Sequence, residues 1–141
     1  MKIRTLALAA AVAAAVATPA HAADVTVSLA LSAGRYAPTG AACALSVPAG
    51  ADGVAVLDAA VAKGCLVSYD TVTYPGFGTF VTCLNEVCGH AGTGTLGTYW
   101  NMYENGASTW YGVDGFTAGA GDELGFAYQA FCFEVVCPPV G

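Results

Sequence analysis

The chain has 141 residues, of which 56% are hydrophobic and only 10% are charged. Four basic residues stand against ten acidic ones, and the formal net charge at pH 7 is −6. This balance makes nucleic acids and anionic lipid surfaces poor partners, because both attract clustered lysine and arginine, whereas it is compatible with a cationic or neutral ligand.

Residues 1–22 are typical of a secretory signal peptide. Lys2 and Arg4 precede an uncharged stretch rich in Leu, Ala and Val, and Ala20-His21-Ala22 has the small residues of a cleavage site. We therefore expect an exported protein, periplasmic or extracellular, whose mature part is one domain, residues 23–141. This part keeps two basic and all ten acidic residues, which gives a formal charge of −8. No later apolar run approaches the ~20 residues of a membrane span.

The mature part opens with two alternating patterns and one helical pattern. Apolar and polar residues alternate from Val25 to Leu31 and again from Cys43 to Val47, which predicts two strands joined by a long loop. A short helix is predicted next, because Asp52 can serve as its N-cap and Gly64 can end it.

Further strands are predicted after the helix. One runs from Cys65 to Val72, a turn covers Tyr74 to Gly78, and another strand runs from Thr79 to Leu84. A glycine-rich loop is expected from Glu86 to Gly97. The fold class is therefore α+β, with one short helix laid across a mostly antiparallel sheet.

The segment after this loop predicts a hairpin and a return strand. An aromatic run from Tyr99 to Tyr103 reaches Asn105-Gly106, the strongest two-residue hairpin signal, and Trp110-Tyr111 leads away as the second strand. Gly121-Asp122 then opens the last alternating strand, Leu124 to Tyr128.

Aromatic residues near the glycine-rich turns are the candidate ligand-binding residues. On an alternating strand Tyr99 and Tyr103 share one face while Trp100 takes the other, so some rings are expected at the surface. Exposed rings with few charges around them make good ligand walls, although any single ring could instead fill the core. The predicted ligand-binding residues are Phe77, Tyr99, Trp100, Tyr103, Trp110 and Tyr111.

All six cysteines lie in the mature part, and in an oxidising compartment an even number favours disulfides. Fifteen pairings are formally possible. Short spacing favours two local pairs, Cys83–Cys88 and Cys132–Cys137. Elimination then leaves Cys43–Cys65 as the third pair.

Reactive groups are otherwise scarce. The alternative to the local disulfide is a zinc site formed by Cys83, Cys88 and His90, but export favours oxidation over thiolate ligation and no fourth ligand is near. His90 is the only histidine of the mature part, and no G-x-S-x-G motif is present. We therefore predict a non-enzymatic protein with no catalytic residue, metal or cofactor.

Three motifs follow one another along the chain: Gly76-Phe77-Gly78-Thr79-Phe80-Val81, then Tyr99-Trp100 leading to Asn105-Gly106, then Gly121-Asp122. Together they resemble the transcobalamin-like C-terminal domain, the small β-domain of the cobalamin carriers. The resemblance covers Val25 to Tyr128. The same part of the chain is also similar to the soluble ligand-binding β-grasp group and to exported bacterial proteins of unassigned role.

The resemblance implies a β-grasp-like sheet with one helix, whose loops at one edge contact a flat ligand, cobalamin in the carriers. The carriers enclose cobalamin between this domain and a large helical domain, so we expect weaker binding by this chain alone because half a site buries less of the ligand. The positions that match the family pattern are Tyr99, Trp100, Asn105, Gly106, Gly121 and Asp122.

The expected function is an exported ligand-binding module for a cobalamin-type corrinoid or another flat, partly apolar small molecule. The alternative is a structural or adhesive module that presents the same aromatic edge to a protein at the cell surface.

Overall fold

The computed structural model describes residues 22–37, 42–90 and 96–132, and these residues form two sheets and one α-helix. The helix α1 is Gly53–Lys63, and a 3₁₀ turn covers Val113–Gly115. The strands are β1 (Asp24–Ala33), β2 (Cys43–Pro48), β3 (Tyr69–Tyr74), β4 (Gly78–Leu84), β5 (Val87–Cys88), β6 (Leu96–Glu104), β7 (Ala107–Ser108) and β8 (Glu123–Cys132).

The larger sheet has the strand order β2-β1-β8-β6-β7. Its first and last strands lie side by side at the centre and run parallel, with Leu29 opposite Leu124, while the other neighbours are antiparallel. This arrangement confirms an α+β, β-grasp-like fold with a mostly antiparallel sheet. Strands β3, β4 and β5 form a second antiparallel sheet, which the sequence pattern does not separate from the first.

Helix α1 begins and ends at the residues that the sequence predicts. Asp52 is the N-cap, and its carboxylate accepts a hydrogen bond from the amide of Ala55 at 3.0 Å. Gly64 ends the helix in the left-handed conformation, with φ 85°. One face of the helix, with Val56 and Leu57 fully buried, packs against the larger sheet and closes the core.

Two disulfides among the described residues hold this fold together. One joins Cys43 in β2 to Cys65, just after the helix, and the other joins Cys83 to Cys88 across the β4–β5 hairpin. Both pairings confirm the prediction. The third predicted pair, Cys132–Cys137, includes Cys137, which lies outside the described residues. Nearly all of the predicted signal peptide also lies outside them.

Two strand boundaries differ from the sequence prediction. The strand expected from Cys65 begins instead at Tyr69, because the amides of Cys65 and Leu66 bond back to the carbonyl of Ala60 and continue the end of the helix as a turn. The expected loop from Glu86 contains strand β5. In the described ranges, no helix is both long enough and apolar enough to span a bilayer.

The second strand of the predicted hairpin is also shorter than expected. The Asn105-Gly106 turn is present, with positive φ at both residues, but β7 ends at Ser108. The prediction that Trp110 and Tyr111 lie on this strand is therefore wrong. They belong to a segment that leaves the hairpin and crosses to the second sheet.

Candidate functional site

A cavity of about 340 Å³ lies between the two sheets, within the size range of small-molecule sites. We call it the aromatic cavity. Strands β4 and β6 and the segment after β7 supply its main walls, namely Phe80, Val81, Trp100, Met102, Trp110 and Tyr111.

Trp100 forms a fixed wall of the aromatic cavity. It shares the inner face of β6 with the buried Met102, and its ring packs against Tyr128 with centroids 5.1 Å apart. Its indole N–H donates a 2.7 Å hydrogen bond to the carbonyl of Val87 in β5. The Tyr128 hydroxyl donates to the neighbouring carbonyl of Cys88 at 2.9 Å. The disulfide-linked β4–β5 hairpin therefore holds both rings in place before any ligand arrives.

Trp110 and Tyr111 form the opposite, outer wall. Trp110 is 91% exposed, and its ring meets that of Tyr111 edge to face with centroids 6.4 Å apart. The Tyr111 hydroxyl donates to the carboxylate of Glu104, and this hydrogen bond raises the pKa of Tyr111 above its usual value of 10. At neutral pH the cavity thus presents a neutral phenol and an uncovered indole ring.

The segment that carries these two rings is fastened to the second sheet. A Cβ atom on Gly112 would lie 2.1 Å from the carbonyl oxygen of Thr79, so only glycine allows the two backbones to approach this closely. The amide of Thr79 also donates to the carboxylate of Asp114 at 2.9 Å. This contact draws the chain away from the hairpin after Ser108, which is why Trp110-Tyr111 cannot continue as a strand.

Phe77 lies in a second cavity of about 440 Å³, which we call the turn cavity. The turn that carries Phe77 has Pro75 and then Gly76 at φ 82°, and the amide of Phe77 bonds to the carbonyl of Tyr74 at 3.0 Å, as in a type II turn. Tyr74, Phe77, Tyr111 and Asp114 line this cavity. It meets the aromatic cavity at Tyr111 and is wide open to solvent.

Tyr103 lies on the opposite face of the larger sheet. Its ring stacks on Tyr36 with centroids 4.1 Å apart and planes 8° from parallel. Tyr36 in turn donates a hydrogen bond to Glu123, and its burial raises its pKa above the usual value. Tyr99 borders the aromatic cavity and packs edge to face on Phe131, with centroids 5.6 Å apart.

The structure thus brings four of the six predicted ligand-binding residues to one cavity. Phe77 lies in the adjoining turn cavity, and Tyr103 is on another surface. Sequence reasoning missed Phe80 and Val81 as cavity walls, although both stand in the motif that carries the family resemblance. The four predicted residues that line the aromatic cavity are Tyr99, Trp100, Trp110 and Tyr111.

The Asn-Gly and Gly-Asp positions of the resemblance have a structural role here. Asn105 accepts a 2.8 Å hydrogen bond from the amide of Glu123 and donates one of 3.2 Å to the carboxylate of Asp122. These bonds tie the tip of the β6–β7 hairpin to the start of β8. They fix the hairpin beside the cavity but do not line it.

The charges around both cavities are acidic. Glu104 holds the Tyr111 hydroxyl and Asp114 lines the turn cavity, and none of the described residues that line either cavity is lysine or arginine. In the described part of the chain, no three His, Cys, Asp or Glu side chains are grouped closely enough to hold a metal ion. Cys83 and Cys88 are joined as a disulfide, which removes the two thiolates that the zinc alternative requires.

No protein-family model and no curated protein matches the chain. Among solved structures, a crystal structure of haptocorrin in complex with Cbi is similar, with a TM-score of 0.59 and 15% sequence identity. The match covers 77% of this chain but only 26% of the haptocorrin chain. The two proteins therefore share a fold over about a quarter of haptocorrin.

Proposed function

We propose that this protein is an exported, non-enzymatic module that binds a flat, partly apolar small molecule in the aromatic cavity, with cobalamin-type corrinoids as the first candidates. The observation that carries the proposal is the pairing of a fixed inner wall at Trp100 with an uncovered outer ring at Trp110. A flat ligand that covers the Trp110 ring would bury apolar surface that solvent now contacts.

Shape supports a flat ligand over a compact one. The cavity is a cleft between two sheets, and its rings belong to backbone that disulfide and glycine contacts already hold in place, so binding requires little ordering of the protein. A corrinoid is larger than the cavity, so only one edge of it would enter while its face covers Trp110. We therefore expect modest affinity unless a second protein surface covers the other face.

Export is part of the proposal. The disulfides Cys43–Cys65 and Cys83–Cys88 are typical of an oxidising compartment, and the predicted signal peptide supplies the route to one. We propose that residues 23–141 are the mature domain.

Tryptophan emission tests the proposal directly, because Trp100 and Trp110 are the only two tryptophans. The mature protein and its variants W100F and W110F are titrated with cobinamide and with cobalamin, and N-acetyltryptophanamide is titrated in parallel to correct for absorption by the ligand. We expect saturable quenching from both tryptophans. No saturable change up to millimolar ligand would refute small-molecule binding of this kind.

A matched pair of alanine variants locates the bound ligand. W110A removes a ring that is 91% exposed, so its effect on stability should stay below about 0.5 kcal/mol. Y103A removes a ring of β6 that lies on the opposite face of the larger sheet. Loss of binding in W110A with retention in Y103A assigns the ligand to the aromatic cavity, whereas the reverse pattern moves it to the other face.

A structural or adhesive module is the second candidate. The observation in its favour is the exposure of three aromatic residues at the end of β3, in the turn that follows it and in the segment after β7: Tyr74 at 53%, Phe77 at 79% and Trp110 at 91%. Pull-down from cell-envelope extract with the mature protein and with W110A distinguishes the two functions. A stable protein partner that requires Trp110, together with no response to corrinoids, would favour adhesion.

A further inference from the structure

The turn cavity differs from the aromatic cavity in its chemistry. Three aromatic rings and one carboxylate face it: Tyr74, Phe77, Tyr111 and Asp114. Phe77 and Tyr74 are 79% and 53% exposed, so their faces are accessible to a solute. The turn and the segment that carry these groups are both held by backbone contacts, so the walls are in place without a ligand.

The electrostatics of this cavity favour a positive charge. The face of each aromatic ring carries partial negative charge, and the Asp114 carboxylate adds a full one. No basic side chain among the described lining residues opposes it, and the chain as a whole carries a net charge of −6. Carboxylate or phosphate groups would be repelled, whereas cations would be drawn toward this end of the molecule.

The aromatic lining of the turn cavity indicates which cation fits. The Oδ1 atom of Asp114 accepts from the amide of Thr79 at 2.9 Å, which holds this carboxylate at one wall of the cavity, while three of the lining residues are aromatic. A protonated primary amine brings three donors and a strongly held hydration shell, so it would lose more than it gains here. A quaternary ammonium group has no donor to satisfy and presents methyl groups to the ring faces.

We propose that the turn cavity is a binding site for a trimethylammonium group, as carried by choline, with Phe77, Tyr74 and Tyr111 as the cage and Asp114 as the counter-charge. The site is separate from the ligand of the aromatic cavity. Because Tyr111 borders both cavities, occupation of one alters a wall of the other.

The test compares two probes of the same shape and different charge. Choline and 3,3-dimethylbutan-1-ol are titrated into the mature protein, and backbone amide shifts of the Tyr74–Gly78 turn are followed by NMR. We expect saturable shifts with choline and binding at least about tenfold weaker for the uncharged analogue. Equal binding of the two probes, or no saturable shift with choline, would overturn the proposal.

Two charge variants supply a matched control. D114N removes the counter-charge but keeps a carbonyl oxygen that can accept from Thr79, whereas D70N removes the same charge at the far end of β3. We expect D114N to weaken choline binding about fivefold or more and D70N to leave it nearly unchanged. Equal effects would show that only net charge matters. F77A, which changes an exposed turn residue, should weaken binding without lowering stability.

Two further measurements distinguish the trimethylammonium site from the corrinoid site and identify the source of the bound group. Cobinamide titration of F77A should match that of the unmodified protein, because Phe77 lines the turn cavity and not the aromatic cavity, so failure of choline binding alone refutes only the trimethylammonium site. Cosedimentation with phosphatidylcholine vesicles identifies the source of the group. Binding to vesicles assigns a lipid headgroup, and binding to free choline alone assigns a soluble molecule.

Discussion

Replacing Gly112 with alanine tests whether the close contact between the Trp110 segment and β4 builds both cavities. The added Cβ would lie 2.1 Å from the carbonyl oxygen of Thr79 and 2.7 Å from its carbonyl carbon. The two backbones must separate by about 1 Å to reach even a tight contact. Gly112 has φ −79°, so the effect is one of space and not of backbone conformation.

The expected loss of stability has two parts. Forcing a methyl group into this contact costs about 1–3 kcal/mol, and loss of the hydrogen bond from Thr79 to Asp114 adds about 1 kcal/mol. The free energy of unfolding should therefore fall by about 2–4 kcal/mol. For a domain of this size about 4 °C corresponds to 1 kcal/mol, so Tm should fall by about 8–16 °C.

Thermal unfolding followed by circular dichroism measures this loss, and corrinoid titration well below Tm measures the site. Gly50 is the control, because it has φ 82° and a Cβ there meets nothing within 4 Å. G50A should lower stability by about 1–2 kcal/mol through its left-handed backbone and leave ligand binding unchanged. G112A should lower both. A G112A protein with unchanged Tm and unchanged binding would refute the role of this contact.

Three further predictions concern the scaffold. L57A removes a side chain that is fully buried under the helix and should lower the urea-derived free energy of unfolding by about 2–5 kcal/mol, so a loss below about 1 kcal/mol would contradict the core described above. The double variant C43S/C65S opens a loop with a separation of 22 residues and should cost about 3.4 kcal/mol in the same assay, and an unchanged midpoint would contradict it. Burial and a hydrogen bond to Asp58 raise the pKa of Tyr69 to about 12. Since the unfolded value is about 10, the stability that this hydroxyl contributes is present below pH 10 and is lost as pH rises through 12, so the Tm difference from Y69F should shrink over that range, and a constant difference would refute the linkage.

Local chemistry made several elements predictable from the sequence. Asp52 and Gly64 bound the helix because an Asx side chain satisfies the first amides and glycine adopts the left-handed end conformation. Asn105-Gly106 marked its turn for the same kind of reason, since both residues accept positive φ. Each of these signals acts within about four residues, where sequence neighbours are also spatial neighbours.

Long-range pairing was not readable in the same way. The parallel contact of β1 with β8 joins residues almost a hundred positions apart, and alternation alone does not say which strands are neighbours. The course of Trp110 depends on a glycine meeting the backbone of Thr79, a contact that no local pattern encodes. For that reason the aromatic residues could be identified from the sequence, but the two separate cavities that they line could not.

Tyr103 shows the same limit within the candidate site. Alternation along β6 predicts that Tyr103 shares a face with Tyr99, but it does not say which face of the strand meets the second sheet. Tyr36 comes from a loop after β1 to stack on it, and its hydroxyl reaches Glu123 at the start of β8. Only the assembled sheet brings these three residues together.

We propose above that a ligand lies against Trp100 and Trp110 in the space between the two sheets. Two-dimensional ¹H–¹⁵N NMR with saturating cobinamide tests it most directly, because the two tryptophans supply two indole signals that W110F tells apart. We predict shifts of both indole signals and of the Phe80 and Tyr111 amides, with those of helix α1 unchanged. Indole signals that do not move, or shifts confined to the face around Tyr103, would contradict the claim.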